Sequence, residues 1–183
     1  RDSGIIRPIP NIETREIPYI AGPSGSGKST YASKYIQMYK KLYPKNDIFV
    51  FSRVNDDPAL DKLKPIRVPV DESLIAEPVD ILEDIEDGDL VLFDDCDTIQ
   101  DNALKKEISK IRNDVLEVGR HKNICCIVTS HLVNGNDRKD TRTILNECHN
   151  LTVFPKAGGA WGINYALKNY WGMPKKQIDD ILA

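Results

Sequence analysis

Apolar runs of four to six residues recur along the chain, each closed by charged or turn-forming residues. They are "IPYIA" at 17–21, "DIFVFS" at 47–52, "PIRVPV" at 65–70, "DLVLFDD" at 89–95, "NICCIVTSH" at 123–131 and "LTVF" at 151–154. Between them the apolar period lengthens to that of a helix. Tyr31, Tyr35, Met38/Tyr39 and Leu42 predict a helix over 28–43, stopped by Pro44. Leu104, Ile108, Ile111, Val115 and Val118 form one stripe of a helix that Asp101 can cap and Gly119 can end. Shorter helices are expected around 80–85 and over 138–149. Continuous apolar strands alternating with helices predict a parallel sheet covered on both faces.

Composition narrows this picture. With 183 residues, 40% of them apolar, the chain can fill one core. Residues 1–16, with Pro8 and Pro10, read as an extended arm. Residues 17–156 hold the alternating pattern. Residues 157–183 carry both tryptophans and read as a Gly-rich turn and two short helices. There Tyr165, Tyr170 and Trp171 have two readings: packing onto the sheet, or stacking on bases or docking a partner. The net charge of −3 steers little. Its distribution says more: 71–97 has no Lys or Arg, while 105–122 and 138–142 lean basic. The four cysteines form no C-x-x-C pair, which argues against zinc and a disulfide framework and fits a reducing compartment. No apolar run is long enough to cross a bilayer, so no membrane partner is expected.

The chemistry is concentrated at three strand ends. "GPSGSGKST" satisfies G-x-x-x-x-G-K-[ST] between a strand and a helix. Glycines let successive N–H groups turn inward onto phosphates, and the helix start adds partial positive charge. Pro23, Ser24, Gly25, Ser26, Gly27, Lys28, Ser29 and Thr30 are the expected nucleotide-binding set, with Lys28 at the β- and γ-phosphates and Ser29 at Mg²⁺. "LVLFDD" ends in Asp94, a candidate metal ligand, and Asp95, placed to deprotonate an attacking water. Asp97 is a weaker candidate that could cap the next turn. "ICCIVTSH" ends in Thr129, Ser130 and His131, of which His131 is the candidate phosphate sensor. Arg120 in "VGRHKN" is the candidate arginine finger toward a neighbouring subunit, with Arg138 and Arg142 as competitors.

Loop, acidic strand, "EVGRHKNICCIVTSH" and "TRTILNECHNLTVFPK" together resemble the genome-packaging ATPases of large DNA viruses, in the FtsK/HerA branch of P-loop ATPases. The likeness covers about 17–155 and includes "NDIFVFSRVNDDPALD". It implies a P-loop NTPase three-layer sandwich with a mainly parallel sheet of about five strands and a small C-terminal helical extension. The 123–131 strand should lie between the loop strand and the acidic strand. It also implies ATP and Mg²⁺ as cofactors and a homo-oligomeric ring, pentamer or hexamer. Double-stranded DNA passes through such a ring, capsid proteins are further partners, and the setting is the host cytoplasm at the site of viral assembly, or the virion. Two positions depart from the family pattern: Asp95 stands where Glu is usual, and His131 where Gln is usual. Lys105, Lys106, Lys110, Lys175 and Lys176 are electrostatic candidates for DNA contact. Two other functions fit the loop: a nucleotide kinase with 138–142 as lid, and a nucleotide-dependent virion scaffold or switch with little turnover.

Overall fold

A computed structural model describes residue 10 and residues 13–183. Most of the expected arm, 1–16, lies outside the described residues. Six strands form one parallel sheet: β1 (Pro18–Ala21), β2 (Ile48–Ser52), β3 (Ile66–Pro69), β4 (Leu90–Asp94), β5 (Cys125–Ser130) and β6 (Asn150–Val153). Their order is β3-β2-β4-β5-β1-β6, with every neighbouring pair parallel. The 123–131 strand thus lies between the loop strand and the acidic strand, as expected. The sheet has one strand more than the five predicted.

The strands are apolar on both sides because both faces are covered. Alternate residues of each strand enter separate cores. Ile20, Val50, Leu90, Leu92 and Ile127 pack with Ala32, Tyr35, Ile36 and Tyr39 of α1 (Lys28–Leu42). Tyr19, Phe51, Val91, Phe93, Cys126 and Val128 pack with Leu104, Ile108, Ile111, Val115 and Leu116 of α5 (Asn102–Val118). Short helices α2 (Pro58–Asp61), α3 (Ser73–Ala76) and α4 (Ile81–Asp84) line the path from β2 to β4. The second core continues into α6 (Arg138–Glu147), α7 (Ala160–Asn169) and α8 (Lys175–Leu182).

Two expected helix features shift. The buried face of α1 runs through Ala32, Tyr35, Ile36 and Tyr39, leaving Leu42 exposed at the last turn. The stripe of α5 closes on Leu116, and Val118 faces solvent. Gly119 ends α5 as expected, as its C-cap, with an ordinary φ of −57°. It continues into a 3₁₀ turn, Gly119–Lys122, and the positive φ falls on Asn123 at 56°. Gly119 is there for space: a Cβ would lie 3.2 Å from Arg15 Nη2. That guanidinium donates to the carbonyls of Val115, Leu116 and Ile124, capping the end of α5.

The tail folds as two helices, with Ile163, Ala166, Leu167 and Ile178 as its buried positions. Tyr170 is half-buried against the same core. Tyr165 and Trp171 are exposed, and Trp161 is 71% exposed. The aromatic packing reading therefore holds for Tyr170 only. Positions 163, 166 and 167 share one helix face, while 161 and 165 fall on the other.

A buried ion pair fastens α5 to α6. Arg112 is 1% exposed and Asp140 5% exposed, with Nη2 and Oδ2 3.0 Å apart. Ser109 and Asn113 also donate to the Asp140 carboxylate, and Arg112 Nη1 donates to Asn136 Oδ1 at 3.1 Å. Burial alone would raise the Asp140 pKa, but the Ser109 bond and the Arg112 charge outweigh it and hold the group low. Removing one member strands a buried charge, so Asp140→Ala should cost about 3–5 kcal/mol in urea denaturation. Replacing both, as Arg112→Met with Asp140→Leu, should cost much less.

Candidate phosphate site at the carboxyl ends of the strands

In a parallel sheet every strand delivers its last residue to the same rim, where ligands bind. Here β1 leads into the loop 22–27, β4 ends at Asp94 and β5 at Ser130. The loop is held against β5 by the Gly22 N–H, which donates to the Ser130 carbonyl at 3.0 Å. Its turn needs φ of 77° at Gly25 and 99° at Gly27, conformations that favour glycine. Gly22 is needed for closeness: a Cβ there would lie 2.7 Å from Phe154 and 2.5 Å from Ser26 Oγ. Ser26 Oγ is buried and without a hydrogen-bond partner among the described residues. Such an orphaned donor in the loop just before a helix N-terminus fits an anionic ligand.

Lys28 opens α1 and is 5% exposed. Its Nζ lies 3.0 Å from Asp95 Oδ2, so the loop lysine and the second strand-end carboxylate are paired. Asp95 sits in the left-handed region, φ 49° and ψ 37°, which an aspartate tolerates better than most residues. Its N–H donates to Thr129 Oγ1 at 3.0 Å. The Thr129 hydroxyl proton points to Asp94 Oδ1 at 3.0 Å, with Asp95 Oδ1 at 3.2 Å as the alternative acceptor. Ser52, at the end of β2, donates to Asp94 Oδ2 at 3.1 Å. Burial pushes the Asp94 pKa up, and the adjacent Asp95 charge adds to this. The bonds from Thr129 and Ser52 and the Lys28 charge only partly offset it.

His131 follows β5. Its backbone N–H donates to Asp97 Oδ2 at 2.8 Å, and its Nδ1 lies 3.5 Å from Asp97 Oδ1 and 3.7 Å from Asp95 Oδ1. Asp97 therefore ties the acidic strand to β5 rather than capping its own turn. Ser29 is exposed on the first turn of α1. It and Asp94 offer hard oxygen donors of the kind Mg²⁺ takes, and of the two strand-end carboxylates Lys28 pairs directly only with Asp95.

Lys28, Asp94, Asp95 and His131 thus converge on one rim. Arg120 does not join them. It is exposed in the turn before β5, at the opposite end of the sheet. A strand of six residues, about 20 Å, separates it from the loop of its own chain. Arg138 and Arg142 are exposed on α6, whose first turn follows the loop leaving the carboxyl end of β5. Sequence reasoning passed over Ser52, Phe154 and the bridging role of Thr129. Ser52 carried a legible signal, a polar residue closing an apolar strand on the ligand rim. Phe154 carried none.

The raised Asp94 pKa has a sign that can be tested. A carboxyl whose folded pKa exceeds its unfolded value weakens the fold above both values and stops doing so below both. Asp94→Asn should raise the melting temperature of the protein near pH 7. The gain should shrink as pH falls into the ordinary carboxylate range.

No family model matches the chain. Among solved structures, B204, the DNA-packaging ATPase of Sulfolobus turreted icosahedral virus, aligns over 92% of this chain and 87% of its own. The TM-score is 0.63 at 12% identity, which is a likeness of fold. The cytoplasmic domain of EssC aligns over 76% of this chain at a TM-score of 0.57 and 18% identity, and this match spans 30% of that longer chain. Both carry the fold that the sequence resemblance implied. In sequence, an uncharacterised protein of Sputnik virophage, V3, is 58% identical over 175 residues, 96% of this chain and 70% of that protein. At that identity and coverage, the chain belongs to the family of the Sputnik virophage protein V3.

Proposed function

We propose that the chain is an Mg²⁺-dependent ATPase that moves double-stranded DNA during virion assembly, working as a ring. The observation that carries the hydrolase reading is the 3.0 Å contact between Lys28 Nζ and Asp95 Oδ2. It places the candidate base directly against the lysine that meets the β- and γ-phosphates. The likeness of fold to a DNA-packaging ATPase and the kinship with a virophage protein support the rest.

In the ligand-free state Lys28 is buried with Asp95 as its counter-ion. An arriving triphosphate offers Lys28 a stronger anion and releases Asp95 Oδ2. The freed carboxylate can then accept the proton of an attacking water. Thr129 steadies this change, since it accepts from the Asp95 backbone and can donate to either carboxylate. Ser29 and Asp94 would hold Mg²⁺, which neutralises phosphate oxygens. His131, with its Nδ1 toward Asp95, reports the position of that carboxylate to the end of β5. Loop residues 23–30 supply the remaining phosphate contacts.

A transition-state arginine must come from another subunit if Arg120 supplies it, because Arg120 lies on the far rim of its own chain. Arg138 and Arg142 start nearer the site. Lys105, Lys106 and Lys110 lie on α5, with 106 and 110 exposed, and Lys175 is exposed beside Asp179 at 3.6 Å. These remain the candidate phosphate-backbone contacts.

Lys28→Ala should abolish ATP binding measured by calorimetry; wild-type affinity in that variant would remove the loop from the mechanism. Asp95→Asn should keep ATP binding and lower steady-state phosphate release by about 10²–10⁴-fold. Specific activity should rise with protein concentration and with added duplex DNA. Flat responses to both would leave a nucleotide-binding protein without a motor.

A further inference from the structure

We propose a second cation site, for a first-row transition metal such as Zn²⁺ or Mn²⁺, formed by Asp95 Oδ1, Asp97 Oδ1 and His131 Nδ1. It is separate from the pair Ser29 and Asp94 assigned to Mg²⁺, and it does not depend on the ATPase reading. The three ligand atoms lie within 4.8 Å of one another.

The first argument is electrostatic. All three atoms are acceptors when His131 is neutral at Nδ1, and they face one another. The Asp97 side chain is 3% exposed, although the residue as a whole is half-buried. Its Oδ1 and the His131 Nδ1 are both buried and lack a hydrogen-bond partner among the described residues. The Asp97 side chain is more than nine-tenths buried with Oδ1 turned toward the buried His131 Nδ1, and two such acceptors facing each other need a positive charge between them.

Distance decides which kind. From His131 Nδ1 the separations are 3.5 Å to Asp97 Oδ1 and 3.7 Å to Asp95 Oδ1. A proton on Nδ1 makes a strong bond only at about 2.7–2.9 Å, so neither contact is satisfied that way. Ligands about 2.1 Å from a shared ion, at angles of about 110–120°, lie about 3.4–3.6 Å apart. The gap from His131 to Asp97 falls in that range and the gap to Asp95 lies 0.1 Å above it, while Asp95 Oδ1 and Asp97 Oδ1 lie within 4.8 Å of each other. An imidazole with two carboxylates suits Zn²⁺ or Mn²⁺ and is poor for Mg²⁺.

The surroundings hold the ligands for this purpose. Asp97 Oδ2 is occupied by the His131 N–H, which leaves Oδ1 free to turn inward. The loop after β5 closes over the carboxylate at Gly135, where a Cβ would lie 2.2 Å from Asp97 Oδ2. The two oxygens of Asp95 are divided, Oδ2 toward Lys28 and Oδ1 toward His131. An ion at Oδ1 therefore need not displace Lys28. It would tie the ends of β4 and β5 together and hold Asp95 by one oxygen.

Chelator-treated, nucleotide-free protein is titrated with Co²⁺, followed by its visible d–d absorption, and with Zn²⁺, followed by calorimetry. The expected result is one saturable site per chain without the near-ultraviolet band of thiolate ligation. Asp97→Asn and His131→Ala should each weaken it at least tenfold, and Lys28→Ala should leave it intact or tighter. His131→Ala keeps the backbone N–H that anchors Asp97, so it remains informative if Asp97→Asn fails to fold. Absence of a saturable site, a thiolate band, or unchanged affinity in His131→Ala overturns the proposal. Because no nucleotide is present, none of these outcomes bears on whether the loop binds ATP.

Discussion

Two carboxylates at the end of one buried strand cannot both stay charged without a cation beside them. That constraint organises the carboxyl rim of this sheet. Asp94 has hydroxyls from Thr129 and Ser52 and a pKa pushed upward; Asp95 has Lys28. The pairing costs Lys28 its hydration, and the buried ammonium is tolerated because Asp95 is 3.0 Å away. On the function proposed above, Asp95 occupies at Lys28 the place that phosphate oxygens would take, so that binding would exchange one anion for another.

The sheet makes that arrangement possible. The register that sets Ser52 opposite Asp94 and Ile20 opposite Thr129 brings the polar ends of three strands level. All strands are parallel, so one rim collects every carboxyl end and the other every amino end. The amino rim carries structural devices instead. Arg15 caps α5, the Tyr39 hydroxyl donates to the Gly88 carbonyl, and Lys122 donates to the carbonyls of Leu82 and Ile85.

Much of this was legible in the sequence. Runs of apolar residues on both faces gave the parallel sheet, and the loop motif with "LVLFDD" located the rim. The Asp101 cap is as expected, accepting from the Leu104 N–H at 2.8 Å. What escaped was long-range. On α1 the spacing finds Tyr35 and Tyr39, with Tyr31 packed beside them, but it runs on to Leu42 and passes over Ala32 and Ile36, because only the sheet decides how far the buried stripe turns. Gly119 ends α5 as its spacing implies, but nothing local reveals that Arg15 arrives from about a hundred residues away to cap the same end. Asp97 looked like a turn cap because its partner lies on another strand. The sixth strand was within the sequence's reach, since "PIRVPV" was recognised as a strand. Its prolines and exposed positions mark an edge, which is where β3 stands.

The separation of the two rims has a consequence for how such a chain can change. Effects of substitutions more than about 7–10 Å apart without shared partners usually add. The Arg15 clasp and the Lys28–Asp95 pair are a strand's length apart, on opposite ends of β5. Substitutions at the clasp end can therefore shift the stability of α5 without moving the side chains of the carboxyl rim.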